Sequence, residues 1–226
     1  MPSDPVAAHP ARTGAAIRRR DRQRAIVEAT RALFDAREMR EANIDDIARA
    51  VGVNRAIIYR HFAGKDELFA LTLADYLGEL EGLLAAADDP AGTPPQRLAA
   101  LAEVFVDFCL RYPAFMDCAL ALLRQPGRDL LAEVSEDALH RLGRFMVVPL
   151  GRIAAVLRAG AESRDFAEVE PHLFANMIYM QTMGALHLAR VGFIVRDIDG
   201  VPEVAPVDAD QFRSLVVRGV LAAARG

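Results

Sequence analysis

The chain has 226 residues, is 53% hydrophobic and carries a formal net charge of −4, enough for one large or two small domains around a substantial core. Charged residues interrupt every apolar stretch before the ~20 residues that a membrane span requires, and the two cysteines, Cys109 and Cys118, are too few for a disulfide framework or a thiolate zinc site. The charge is unevenly spread: residues 1–65 hold 13 Lys+Arg against 8 Asp+Glu and residues 66–226 hold 14 against 23, so the N-terminal end is suited to phosphate and the remainder is not.

Pro2, Pro5, Pro10 and Gly14 punctuate the start of the chain, which reaches Arg18-Arg19-Arg20 and continues with Asp21 rather than with the apolar core of a secretory signal. Residues 1–17 are therefore expected to be a disordered leader and the protein cytoplasmic. From Arg18 to Ala36, Ile26, Ala29, Leu33 and Phe34 fall on one face and predict an amphipathic helix, closed by a polar break over residues 37–42. Asn43 is placed to cap the next helix, with Asp46 three residues on, and Ile44, Ile47, Ala48 and Val51 follow at helical spacing up to Gly52. A second short helix is predicted from Asn54 to His61. A longer one follows Ala63-Gly64 and carries Leu68, Leu71, Tyr76, Leu80 and Leu83.

Residues 88–95 read as a linker, and Thr93-Pro94-Pro95-Gln96 opens a helix with a capping box and with prolines where early N–H groups lack partners anyway. That helix is predicted to stop near Tyr112, and another to run from Pro113 to Arg124 and break at Pro126-Gly127. Residues 128–161 read as one long helix or two, because Pro149 removes a backbone donor in the middle. Helix resumes after Pro171 as far as Val191, the segment from Gly192 to Val207 reads as a loop with room for a small hairpin around Asp199-Gly200, and Asp208 to Ala224 makes the last helix.

Three short helices, the second and third joined by a tight turn at Gly52, are the arrangement that delivers a helix into the major groove of DNA. Ile47, Ala48, Val51 and Ile58 form its small core, and Gly52 permits a turn that a larger residue resists. The outward set is then Asn54, Arg55, Ile57, Tyr59, Arg60 and His61, nearly all able to pair with DNA.

The run Asn43-Ile44-Asp45-Asp46-Ile47-Ala48, with Val51-Gly52-Val53, Ile58-Tyr59-Arg60-His61-Phe62 and Gly64-Lys65-Asp66-Glu67-Leu68-Phe69, resembles the DNA-binding domain of the tetracycline-repressor-like (TetR) family over residues 20–70. Beyond residue 70 only the helical pattern is similar. The resemblance implies an all-α homodimer, with an N-terminal helix-turn-helix domain (residues 18–65) and a larger helical domain (66–226) that binds a small effector and dimerises. It places Asn43 at a helix N-terminus against phosphate, Tyr59 and His61 at phosphate-contacting positions, and Lys65 on the far side of the groove. Lys65 is the single lysine of the chain.

Base reading falls to Arg55, whose fork suits a guanine edge, to Asn54, and to Ile57, which suits a thymine methyl. Ile57 departs from the family, which more often has a small hydroxyl residue there. Arg60 is as readily a solvated charge as a contact, and Phe62 is a core aromatic. Arg18, Arg19 and Arg20 are candidates for added phosphate or minor-groove contacts.

The C-terminal part offers Phe105, Phe108, Phe115, Met116, Met146, Met177, Tyr179, Met180 and Met183 as lining of an adaptable apolar pocket, with Gln181, His140, His172 or His187 as polar anchors. The same residues also suit an ordinary core. Ile178, Ala185 and Leu188 on one helix, with Phe212, Leu215, Val216, Gly219 and Val220 on the last, combine small and apolar side chains as a four-helix dimer interface requires.

An enzyme built on a helical bundle is the competing reading. It lacks HExxH, GxSxG or a Walker loop, and the five histidines are scattered, so no cofactor or metal is expected. A constitutive DNA-binding protein with no effector is the third. The partners expected are duplex operator DNA, a second copy of the chain and a small apolar or amphipathic effector that releases a repressor from its palindrome, with no membrane.

Overall fold

The computed structural model describes residues 10–37, 43–123 and 134–226. Its helices are α1 (Pro10–Arg37), α2 (Ile44–Val51), α3 (Arg55–His61), α4 (Lys65–Ala87), α5 (Pro94–Arg111), α6 (Pro113–Leu123), α7 (Glu136–Glu162), α8 (Pro171–Val191) and α9 (Ala209–Arg225), with a hairpin of β1 (Phe193–Ile198) and β2 (Val201–Pro206) between the last two. None of these helices is long and apolar enough to cross a membrane.

Helix starts follow local chemistry. The Thr93 hydroxyl accepts from the Gln96 N–H while the Gln96 side chain accepts from the Thr93 N–H, closing the expected capping box with prolines in the first turn. Ser135 caps α7, and the Asp208 carboxylate caps α9 by accepting from the Gln211 N–H at 2.7 Å. The hairpin turns through Asp199 and Gly200 at φ of 54° and 81°, the left-handed pair of a two-residue turn whose twist matches the strands. Its register pairs Phe193 with Pro206 and Ile198 with Val201.

One expected boundary changes. α1 begins at Pro10, so residues 10–17, assigned to a disordered leader, are helical; residues 1–9 lie outside the described residues. Of the one helix or two expected over 128–161, the described part is a single helix, Glu136–Glu162, with Pro149 inside it, and residues 128–133 lie outside the described residues. The breaks expected at 37–42 and at Pro126-Gly127 fall largely or wholly outside the described residues.

α4 is the spine. Leu68, Ala70, Leu71, Leu73, Ala74, Tyr76, Leu77, Leu80 and Leu84 are buried along it, against α1, α5, α6 and α7 in turn. A full side-chain burial of this kind contributes about 1.5–3 kcal/mol each before chain entropy is set against it. Polar groups fix the seam between α1 and α4. Arg31 pairs with Asp75 at 2.8 Å and with Glu79, lies 4.2 Å over the Tyr76 ring, and Tyr76 donates its hydroxyl to Asp35 at 2.5 Å. Arg213 ties α9 to Asp107 of α5 at 2.6 Å, and Arg190 ties α8 to the Pro113 carbonyl at 2.7 Å. Cys109 and Cys118 are buried free thiols whose pKa values burial pushes up.

Candidate nucleic-acid interface

α2 and α3 are short, so their ends decide their geometry. Asn43 holds the start of α2, its side-chain oxygen accepting from the Asp46 N–H at 2.8 Å. Gly52 ends it in the left-handed region at φ 69°, and the next residue, Val53, donates back to the Ala48 carbonyl at 2.9 Å. Asn54 then starts α3 by accepting from the Ala56 N–H at 2.6 Å. Ile47 and Ile58 are fully buried at 0% exposure between the helices, with Ala48 beside them and Ile26 and Phe62 closing the core. α3 is thereby pinned by one face and presents the other.

That outward face carries Asn54, Arg55, Tyr59 and Arg60, all exposed, with Ile57 and His61 half-buried at its margins. Tyr59 is 45% exposed, unlike the buried Phe62 at 2%. Arg55 lies 3.2 Å from an Asp45 carboxylate oxygen and donates to the Tyr59 hydroxyl at 3.2 Å, with its guanidinium 5.3 Å from the Tyr59 ring centre. An exposed pair of this kind is weak because water screens it, and it aims the guanidinium without sequestering it. The side-chain oxygen of Asn54, expected to read a base, is engaged in capping α3. Ile57 packs partly against the core rather than standing clear of it. Lys65 is exposed at the first turn of α4 with its ammonium 5.0 Å from the Phe69 ring centre.

The exposed arginines of α1 share this surface. Arg19, Arg20 and Gln23 line an open groove of about 590 Å³ together with Tyr59, Arg60, His61 and Ser135. Gln23 donates to the His61 carbonyl at 3.3 Å, fixing α1 against the end of α3. Gln23 was invisible as a site residue in the sequence, since its contact is long-range. Burial first, then the charges of Arg60, Arg19 and Arg22, hold the His61 pKa below its ordinary value, and its Nδ1 is buried without a partner among the described residues.

One buried carboxylate joins this head to the rest of the molecule. Glu67 is 5% exposed; one of its oxygens accepts from the Ala63 N–H, just past α3, at 2.5 Å, and the other accepts from the Ser135 hydroxyl at 2.6 Å. Ser135 is the cap of α7.

Farther along α7, Met146, Pro149, Leu150 and Ile153 line a cavity of about 50 Å³ that α4, α5, α8 and α9 complete. Of the residues expected to line a pocket, Phe105, Met146 and Tyr179 do so. Phe108, Phe115, Met116 and Met183 are buried elsewhere in the core, and Met177, Met180 and Gln181 are exposed on the far face of α8, a correction to the expected lining. The dimer candidates divide similarly. Ile178 and Val220 line the cavity, and Phe212 and Val216 are buried in the subunit's own core, so none of these four is free to meet a second copy. Leu188, Leu215 and Gly219 are exposed and Ala185 is half-buried. α8 presents instead a continuous outward stripe, Leu173, Met177, Met180, Gly184, Leu188 and Val191, at helical spacing.

Residues 26–72 match the family model of bacterial regulatory proteins, tetR family. The chain is 31% identical over 83 residues to the HTH-type transcriptional regulator BetI of Rhizobium meliloti, an alignment covering 37% of this chain and 41% of that protein. It is 31% identical over 97 residues to the HTH-type transcriptional activator FasR of Mycolicibacterium smegmatis, covering 43% and 44%. These alignments span less than half the length of the relatives. The fold extends further: the TetR-family regulator PfmR from Thermus thermophilus superposes with a TM-score of 0.59 at 20% identity, over 87% of this chain and 97% of that one. Each of these three proteins is named a transcriptional regulator or activator. The helix-turn-helix head, over residues 26–72, is thus similar to the tetR family of bacterial regulatory proteins.

Proposed function

We propose that the chain is a cytoplasmic transcriptional repressor that binds a palindromic duplex operator as a homodimer and leaves it when a small apolar effector enters the C-terminal domain. The observation that carries the reading is the outward face of α3, where Arg55, Tyr59 and Arg60 stand exposed beside the arginines of α1 on a helix pinned by Ile58. A helix so presented fits the major groove, with Arg55 toward a guanine edge and Tyr59, Arg60, His61, Lys65 and the N-terminus of α2 at Asn43 on phosphates. Asn54 serves this face chiefly by starting α3, and Ile57 offers a partly covered methyl contact.

Two heads roughly 34–36 Å apart read the two halves of a palindrome, which requires a second copy. The α8 stripe supports that role: Leu173, Met177, Met180, Leu188 and Val191 are each 44–63% exposed, a contiguous apolar surface of the kind that marks an interface. Leu215 and Gly219 of α9 extend it. Residues 18–65 are then the head and 66–226 the effector and dimerisation domain.

The effector acts through α7. A ligand between α4, α7 and α8 displaces the helix that carries Met146 and Pro149, and Ser135 at its start passes the shift through Glu67 to the Ala63 amide behind α3. The heads lose their spacing, and the DNA-bound population falls.

Binding of the purified dimer to its selected operator, measured from about 50 to 200 mM salt, tests the DNA reading. Affinity is expected to fall steeply with salt, and Lys65→Ala to lower the slope by about one per contact removed while leaving the melting temperature unchanged. Affinity indifferent to both salt and Lys65 overturns it.

A further inference from the structure

None of the fifteen residues lining the cavity is charged. A carboxylate or ammonium ion brought against such walls loses its hydration with no counter-ion in return. Two side chains of α8 interrupt the hydrocarbon. Tyr179 and Thr182 both line the cavity, and their spacing of three residues puts them on one helix face.

Their hydroxyls are unlike the others in the interior. Thr30 and Thr72, buried in α1 and α4, turn their hydroxyls back to the Ile26 and Leu68 carbonyls at 2.7 and 2.8 Å. Tyr76 and Tyr112 donate to Asp35 at 2.5 Å and to Glu79 at 2.9 Å. Thr182, only 4% exposed, makes no such bond, and neither it nor the Tyr179 hydroxyl has a hydrogen-bond partner among the described residues. Burial pushes the Tyr179 phenol above its usual pKa, so it stays a protonated donor. Interior hydroxyls are ordinarily satisfied, and two without a partner on one helix face of an apolar cavity wall mark where a ligand oxygen completes the structure.

We propose that the cavity takes a neutral, mainly hydrocarbon molecule bearing a carbonyl oxygen, whose two lone pairs receive the hydroxyls of Tyr179 and Thr182. The inference rests on the effector role proposed above and adds the ligand's chemical class and the residues that read it. The cavity's free volume, about 50 Å³, is roughly a third of the ~150 Å³ that admits benzene in an engineered cavity. The ligand therefore parts the helices as it enters, and occupancy is felt along α7.

The test compares three probes of similar size, acetophenone, ethylbenzene and benzoate, titrated by calorimetry into the full-length protein and into Thr182→Val and Tyr179→Phe. Both substitutions keep the side-chain shape and remove one hydroxyl. Acetophenone is expected to bind the unaltered protein, to weaken about three- to tenfold in each variant, and benzoate not to bind; ethylbenzene affinity is expected to be the same in all three proteins. Benzoate binding as tightly as acetophenone, equal acetophenone affinity in all three proteins, or no binding of any probe overturns the proposal. Operator release is scored separately on the acetophenone complex: a bound ketone that leaves DNA binding intact defeats the effector role while the ligand class stands.

Discussion

Arginine is used differently on the α2–α3 surface and in the helical body. In the C-terminal body Arg97, Arg152 and Arg190 have side chains only 18–23% exposed and are locked to Asp88, Glu81 and Asp117. In the head Arg49 and Arg55 have side chains 77% and 57% exposed, and their ion pairs, to Asp46 and Asp45, lie in open water. A strongly engaged guanidinium stabilises the fold and has no field left for a partner; a solvated one contributes little to stability and remains available to phosphate or a base. Net charge along the sequence points to the right end of the chain, but the engagement of each cation distinguishes a recognition surface from a scaffold.

The comparison breaks most severely if the heads bind DNA singly. Met180→Glu combined with Leu188→Glu on the α8 stripe is expected to dissociate the dimer and to weaken operator binding about a hundredfold or more, since two buried interface charges without partners remove hot-spot energy. Sedimentation and band-shift titration check this, and a dimer that survives both substitutions removes the stripe from the interface. Arg55→Ala is next in size. It is expected to cost about 1–3 kcal/mol per half-site and to relax preference at one base pair, read by selecting sites for the variant and for the unaltered protein. An unchanged preferred sequence assigns Arg55 to the scaffold with Arg152.

A smaller effect sharpens the link between the two regions. Ser135→Ala removes the donor that joins α7 to Glu67. Operator affinity without effector is expected to change by less than about threefold, whereas the effector-induced loss of affinity shrinks by about five- to tenfold, a loss of ~1 kcal/mol of coupling. Equal induction in both proteins, in a band-shift assay with effector, rules out this route.

The smallest effect is on pH. Burial and the arginines around it hold the His61 pKa below its ordinary value, and a DNA phosphate at the contact proposed for it is expected to favour the protonated form. The imidazole pKa is thus higher in the complex than in the free protein, so binding takes up a proton and affinity rises as pH falls toward and below the ordinary imidazole value of about 6.5. His61→Gln is expected to flatten that rise, of about two- to threefold, in fluorescence anisotropy between about pH 7.5 and 6.

Much of this was legible in the sequence wherever the cause lies within four residues of the effect. Asn43, Gly52, Thr93 and Asp208 act at helix ends through their own neighbours, and Asp199-Gly200 sets a hairpin by its backbone preference. The head was legible for the same reason. Its core is a few residues at tight spacing, and what is left over on α3 has to face outward.

The faces of α8 were not. Ala175, Ile178, Thr182, Met183 and Leu186 are buried on one side, and Leu173, Met177, Met180, Leu188 and Val191 are exposed on the other, so the helix is apolar around most of its circumference and its periodicity selects no inner face. Met177 and Met180, expected in the pocket, therefore belong to the outer stripe, and Ile178 and Val220, expected at the dimer interface, belong to the cavity.

The sequence by itself determined the order of the helices, their caps, the turn at Gly52 and the polar face of α3, because those depend on local hydrogen bonding and on a small core. Only the tertiary structure decided which apolar residues of α7, α8 and α9 enclose the cavity, which arginines are locked, and that Glu67 meets Ser135 from 68 residues away. Those outcomes depend on what packs against each face, and hydrophobicity, which is non-directional, carries no record of the partner.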